Sequence, residues 1–437
     1  MSTVQASVES NAAVVSATTR HRGRSVRFVT ALGVARAGLV LCVLATPLPS
    51  GAVMNIGLAI AILGAAAHLL RSRPSPTLPA PVWLMVLFTA TAAVSTVLAI
   101  DPWCGFTGAN DLVRGILGRA DVPLWCGFRG LLDIARSTLV LVLAVTLLQS
   151  DRLRRAWLVV IVGVTCFVVL SGLFEYAMGH RTDGKFLRDA AIGHSNHTGS
   201  YLVMALPASV CVLIFGVFSG GARFLAGVTV ALGAVAIVLT QSLTAWLGAA
   251  VVGVVIAMRF ASRRAWLVAS ALVVVIGLTL LVVGPRWEKF TTAWFAMSTG
   301  WRLSWWAGAL QVISENPLFG VGPRNFILID GPTYGFRTTF HAHNLYLNVA
   351  TEHGLVGVAL LIATLATIAT RLKATYATIA DSFDCACWWA AACAVLAFAV
   401  LGLATTPYHS RHAIMLWAIV GLFYAQFGDR TARVRPA

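Results

Sequence analysis

Charge is what this chain has least of: 11% of its 437 residues are Asp, Glu, Lys or Arg, against about 25% in ordinary soluble domains. A soluble fold made from a sequence that is 58% hydrophobic would leave large apolar patches in water. A bilayer, by contrast, accepts apolar runs of about 20 residues as spanning helices. Also missing is the period-two alternation in segments of roughly ten residues that a membrane barrel needs. Long continuous apolar stretches stand in its place, so the expected fold is all-α and integral to the membrane. No cleavable leader is evident, because residues 1–27 are polar and rich in Ala, Ser and Val and end in HRGRSVR before the first apolar run. That basic flank predicts a cytoplasmic N-terminus.

Acidic residues are scarce as well, 16 against 32 basic ones, for a formal charge of +16. The basic residues are scattered over many short loops, not collected on one stripe, which argues against nucleic acid and toward anionic lipids or lipid-linked phosphates. Apolar runs at 28–46, 51–70, 80–100, 130–149, 156–176, 198–218, 222–240, 244–260, 266–284, 346–370, 386–406 and 412–428 predict about twelve spans. With the N-terminus inside, RSRPSP (71–76), SDRLRR (150–155), SGGAR (219–223), RFASRR (259–264), RLK (371–373) and DRTARVR (429–435) all face the cytoplasm, and each carries Arg or Lys. This is the bias expected of short cytoplasmic loops. The expected layout is a cytoplasmic tail (1–27), nine transmembrane helices (28–284), a large periplasmic loop (285–345), three more helices (346–428) and a second tail (429–437). Eight of the ten histidines fall on or near the outer side: His180, His194, His197, His341, His343, His353, His409 and His412. So one-sided a gathering predicts a polar working face outside.

The eight cysteines are dispersed, most of them inside apolar spans, where a thiol acts as a small hydrophobe. WCGF occurs at Trp103–Phe106 and again at Trp125–Phe128. A Cys104–Cys126 disulfide in an oxidising periplasm would close a loop of about 22 residues and constrain it by about 3 kcal/mol; the residues leave that pairing open. Cys385 and Cys387 lack the further ligands of a zinc site. Asp133 and Arg136, three apart in the fourth span, can pair on one helix face and offset each other's burial. Neither duplicated halves nor paired interrupted helices occur, which disfavours a transporter of twelve spans.

HAHNLYLNVATEHGLVGVALL (341–361) opens on imidazoles and turns apolar. A helix starting near His343 would stack Leu347, Ala350, Gly354 and Gly357 beneath the imidazole. Asn344, Asn348 and Glu352 would line another face, a polar stripe that must point into protein or a wet cavity. Trp301, Trp305 and Trp306, with Arg302 among them, fit an amphipathic helix at the membrane surface or an aromatic belt.

His343-Asn344, nine residues, Gly354, two residues and Gly357 resemble the H[NSQ]x9Gxx[GTY] signature of bacterial O-antigen ligases. WRLSWWAGALQVISENPLFGVGPRNF (301–326) is similar to the arginine, tryptophan and PLxGxG pattern those ligases share with O-antigen polymerases and protein O-oligosaccharyltransferases. In motifs the resemblance covers Trp301 to Leu361. It implies a GT-C-like glycosyltransferase of the bacterial inner membrane, working on its periplasmic side. Such an enzyme moves O-antigen from undecaprenyl pyrophosphate to a sugar hydroxyl of lipid A-core. His343 would be the general base; Arg302, Arg324 and Arg188 would hold the pyrophosphate; and His341, Asn344, Gly354 and Gly357 would support them. No DxD-type carboxylate pair occurs in the outer loops, so neither metal nor cofactor is expected. One departure stands out. Where the family commonly has a TxSR-like turn, this chain reads Thr240-Gln241-Ser242-Leu243-Thr244, so Leu243 occupies the arginine position. Arg188 or Arg324 would have to compensate. The polymerase and the protein O-oligosaccharyltransferase remain the alternatives within this chemistry.

Overall fold

The computed structural model describes residues 31–46, 48, 51–72, 78–98, 122–181, 187–188, 192–260, 292–329, 331–335, 339, 341–407 and 411–428. The apolar runs fold as α1 (Ala31–Leu44), α2 (Gly51–Ser72), α3 (Ala80–Leu98), α4 (Val122–Leu147), α5 (Asp151–Ala177) and α6 (Ser195–Phe215). They continue as α7 (Gly220–Thr240), α8 (Leu243–Phe260), α9 (Thr292–Glu315), α10 (Leu345–Thr375), α11 (Ser382–Leu401) and α12 (Arg411–Phe427). Among the described residues there is no strand, and nine helices, α2 to α8 with α10 and α11, are long and apolar enough to cross a membrane. The chain is thus a multi-pass membrane protein. Of the other three, α1 has 14 described residues and α12 has 17, at or below the short limit of about 17 for a span. The third, α9, lies within the long loop expected at 285–345. The span expected at 266–284, both tails, Cys104 and His409 lie outside the described residues.

A helix that is apolar on every side must be surrounded by protein or lipid, and burial separates the two cases here. All of α12 except Ala425 is buried, and it packs on α4, α5, α6 and α11. Close approach makes this hub tight: a Cβ on Gly421 would lie 2.5 Å from Ala144 Cβ, the small-residue contact that lets membrane helices meet. Across the hub, Trp157 Nε1 donates to Ala418 O at 3.1 Å. In α6 most of the span is buried too, whereas α2, α7 and α8 turn most of their surface outward, as lipid-facing helices do.

The ends of these helices define two faces. On one, the starts of α6 and α12 meet where His412 Nε2 donates to His197 O at 2.9 Å. The start of α10 meets the end of α11 there, with Leu345 N donating to Gly402 O at 2.7 Å. This is the histidine face. On the opposite face, arginines bond the terminal carbonyls of helices: Arg36 to Leu147 O, Arg154 to Ala425 O, and Arg371 to Phe427 O and Gly428 O. Cations there satisfy orphan carbonyls and oppose the helix dipoles.

The continuous face expected from His343 to Gly357 is not formed. The helix starts at Leu345, with Asn344 as its cap, and Gly354 (φ 69°, ψ −175°) breaks it after nine residues. A break inside a membrane strands backbone donors and acceptors, which is tolerated only where protein satisfies them. The Pro317–Gly322 turn does so. Val321 N and Gly322 N donate to Thr351 O and Glu352 O, while Leu355 N and Val356 N donate to Pro317 O and Leu318 O. A Cβ on Gly354 would fall 2.0 Å from Leu318 O, and one on Gly320 (φ 67°) 2.4 Å from Thr351 O. Ser95 Oγ, from α3, lies within 2.7 Å of Glu352 O and 2.6 Å of Phe319 O, closing the junction from the third side.

Candidate active site

The first half of α10 points its N-terminus at a short turn, residues 341–343, that is clasped from three directions. Asn348, buried on the half-helix, accepts from Ala342 N through Oδ1 at 3.0 Å. Trp306 Nε1, from α9, donates to Ala342 O at 3.0 Å. Asn344 accepts from Tyr346 N and Leu347 N and donates to Leu403 O. Held this way, His343 takes a left-handed conformation (φ 52°), uncommon for a residue with a side chain and a mark of local constraint. Ala342 sits in a small separate core with Ala309, Val312, Val321, Phe326 and Ile329. That core welds α9, the Pro317–Gly322 turn and the 3-10 helix Asn325–Leu328 to the site.

Trp305 stacks on His343, ring centroids 4.8 Å apart and planes at 18°, and fixes the plane of the imidazole. A chain of imidazoles leads away from it: His341 at 4.2 Å from His343, His197 at 5.9 Å from His341, and His412 at 5.4 Å from His197. His341 Nδ1 accepts from His343 N at 3.3 Å, so its proton belongs on Nε2 and the ring is neutral. By the same logic His412, donating to a carbonyl, carries its proton on Nε2. Burial pushes the His343 pKa down to about 3, and Arg302, then His197 and His194, push it the same way. His341 is held well below the usual imidazole value, first by burial and then by its neighbours His343 and His194. Burial also lowers Arg302, and among the described residues no carboxylate pairs with it. The result is a neutral imidazole beside an uncompensated guanidinium, an arrangement suited to a negatively charged group that arrives with a proton to lose. Among the described residues no group of three or more His, Cys, Asp or Glu is placed to hold a metal ion.

Of the residues singled out from sequence, His341, His343, Asn344 and Arg302 come together. Gly354 and Gly357 lie beyond the half-helix, and Gly354 acts through the backbone break. Arg324 stands elsewhere on the same face. It is left-handed (φ 60°) at the cap of the 3-10 helix, with Nη1 3.5 Å from Asp133 Oδ2. The Asp133–Arg136 pair expected within α4 is present at 2.7 Å, so one carboxylate serves two arginines. Arg188 is exposed, and its neighbour Leu187 donates to Leu239 O at 3.1 Å. This docks the Arg188 segment beside the Thr240–Thr244 turn, where Gln241 is left-handed (φ 47°) and Ser242 Oγ accepts from Ala245 N. Trp305 and Trp306, expected on an amphipathic helix at the membrane surface or in an aromatic belt, lie on α9 and contact the 341–343 turn. Sequence reasoning passed over Arg411, buried at the start of α12, and did not single out His197 and His412 from the outer histidines; the Arg411-His412 pair opening the last apolar run was the available signal.

A search of curated proteins returns no match to the chain. Residues 228–362 match the family model described as O-Antigen ligase. That stretch takes in the Thr240–Thr244 turn, α9, the Pro317–Gly322 turn, His341, His343 and the broken helix as far as Ile362. Over that stretch the chain is similar to the O-antigen ligase family.

Proposed function

We propose that the chain transfers O-antigen from undecaprenyl pyrophosphate to a sugar hydroxyl of lipid A-core, on the periplasmic side of the bacterial inner membrane. The observation that carries this reading is the stacked, neutral His343 beside Arg302 at the end of a capped half-helix, inside the segment that matches the family. In the reaction, His343 accepts the proton of the acceptor hydroxyl as that oxygen bonds to the anomeric carbon. The bond from this carbon to the pyrophosphate oxygen breaks, and the leaving group takes the electron pair. Inversion at the anomeric carbon follows from attack opposite the leaving group. Arg302 stabilises the charge growing on the pyrophosphate, with the N-terminal dipole of the half-helix adding to it.

An imidazole with so low a pKa is a weak base on its own, and donor binding corrects this. Burial is the first cause of the low value and Arg302 the second; a diphosphate beside Arg302 offsets that second cause, so basicity rises when the donor is in place. Arg324 and Arg188 are the further pyrophosphate contacts. The docking of the Arg188 segment against the end of α7 brings a guanidinium to the neighbourhood where Leu243 replaces the family arginine. Inner-membrane placement agrees with the basic loops of the opposite face, which would then be cytoplasmic.

An O-antigen polymerase would use the same base and the same arginines, and a protein O-oligosaccharyltransferase would differ only in its acceptor. Lipopolysaccharide from a strain lacking the gene, complemented with wild type or His343→Ala, separates them on a gel. The ligase predicts that the ladder returns with wild type only, while core and lipid-linked O-antigen accumulate with the variant. A single repeat capping the core would indicate the polymerase, and an unchanged profile in the deletion strain would overturn both.

A further inference from the structure

Asp133 holds its two arginines unequally. Oδ1 accepts from Arg136 Nη1, one turn further along α4, at 2.7 Å, the length of a strong charge-assisted hydrogen bond. Oδ2 stands 3.5 Å from Arg324 Nη1, an ion pair too long for a good hydrogen bond. The Asp133 side chain is 12% exposed and that of Arg324 37%, so an anion arriving at the histidine face meets the guanidinium before the carboxylate. The rest of Arg324 is anchored. Its backbone is left-handed (φ 60°) at the cap of the 3-10 helix, and Asn325 N donates to Gly322 O at 3.2 Å just beyond it. Its stem lies against α4 at Gly130, where a Cβ would fall 2.6 Å from Pro323 Cβ and 3.0 Å from Arg324 Cγ. With backbone and stem fixed, the guanidinium end is the part able to change partners.

We propose that Asp133 is a positioning residue that acts as a place-holding anion: it keeps Arg324 aimed while the site is empty and yields the guanidinium to the donor's pyrophosphate. The inference rests on the reading of Arg324 as a pyrophosphate contact. Two features favour the exchange. A diphosphate offers the guanidinium a bidentate partner of higher charge than a carboxylate 3.5 Å away. Asp133 is not stranded when Arg324 leaves, because Arg136 stays on Oδ1, and a buried charge left without its partner is what makes breaking such pairs costly. The same carboxylate takes the guanidinium back when undecaprenyl pyrophosphate departs, so it loosens the hold on donor and product alike.

Full-length protein in mild detergent, titrated with undecaprenyl pyrophosphate, reads the exchange as a dissociation constant. Asp133→Asn keeps the shape and drops the charge, and is expected to bind about fivefold more tightly than wild type. Arg136→Gln leaves Asp133 reliant on Arg324 and is expected to bind about fivefold more weakly. A merely structural role for Asp133 would instead weaken binding in both. In the double variant the loss from Arg136→Gln is expected to vanish, whereas the lost attraction of a distant cation would persist and overturn the proposal. Should Asp133→Asn not fold, Arg136→Gln at about 0.5 M salt, where distant attraction is screened, still decides: binding equal to wild type overturns it. Arg324→Gln tells the two readings apart. If it leaves the dissociation constant unchanged, Arg324 is no pyrophosphate contact and the reading beneath fails, taking the exchange with it. If it weakens binding while Asp133→Asn binds no more tightly than wild type, the exchange alone is overturned.

Discussion

At the scale of single residues, the chemistry rests on a histidine kept neutral by burial and by Arg302. Because kcat/KM reports the free enzyme and kcat the loaded one, the two acid limbs should differ. The kcat/KM limb belongs near the free pKa of about 3, well under pH 5, and the kcat limb at higher pH, since the bound diphosphate offsets Arg302. Coincident limbs near pH 6.5 would show that Arg302 and burial do not govern the base. The same shift acts on stability: above pH 6.5 both states hold His343 neutral, and as pH falls from there toward about 3 the unfolded chain gains the proton first. Thermal stability should therefore fall with acidification across that window, and less so in His343→Gln. Arg302→Lys keeps the charge but loses the planar fork, so transfer should fall by about tenfold or more while the amount of folded protein holds. Asp133→Asn frees Arg324 from its carboxylate, and a changed KM for the donor with an intact kcat is the expected result in steady-state kinetics. The motif histidine, its arginine and the outer gathering of imidazoles were legible because residue type and spacing carry them. The stacking of Trp305 and the meeting of His197 with His412 were not, since they depend on how α6, α9 and α12 lie in space.

At the scale of elements, the broken helix explains why two separate glycine motifs travel together. The nine residues between Asn344 and Gly354 measure the half-helix from its cap to its break, and the Pro317–Gly322 turn supplies the hydrogen bonds that the break strands. Gly354→Ala meets both a left-handed backbone and the Leu318 carbonyl, and should cost about 2–4 kcal/mol, read as a lowered midpoint in thermal unfolding in detergent. A midpoint equal to that of wild type would mean the two motifs are not joined as described. Asn344→Ala removes a side-chain cap worth about 1 kcal/mol and should weaken activity more than stability, because the cap also sets the 341–343 turn. From sequence the segment reads as one amphipathic helix, since helical periodicity continues through Gly354 and a single left-handed glycine leaves no trace in it. Asn348 and Glu352, expected to point into protein, are indeed buried. With Asn344 as the cap, the whole stripe belongs to the first half-helix.

At the scale of the whole molecule, polarity is sorted between two ends of a helical bundle. Imidazoles and the starts of α6, α10 and α12 collect at one face, while arginines seal helix C-termini at the other. The span pattern was readable because apolar runs of this length have few alternatives; which helices form the hub was not, since α6 and α12 look no more apolar than their lipid-facing neighbours. If the histidine face is periplasmic, a cysteine introduced at Thr333, exposed in the loop below α9, should react in intact cells with a thiol reagent that cannot cross the inner membrane. One introduced at the exposed Thr370 near the other face should react only after permeabilisation. The claim beneath all of this is that His343 takes the acceptor's proton, and transfer by the purified full-length chain, from a lipid-linked polysaccharide donor to a core acceptor, measures it most directly. His343→Ala is expected to lower the rate by roughly 10²- to 10⁴-fold with donor affinity preserved; turnover at the wild-type rate by a correctly folded variant would contradict the account.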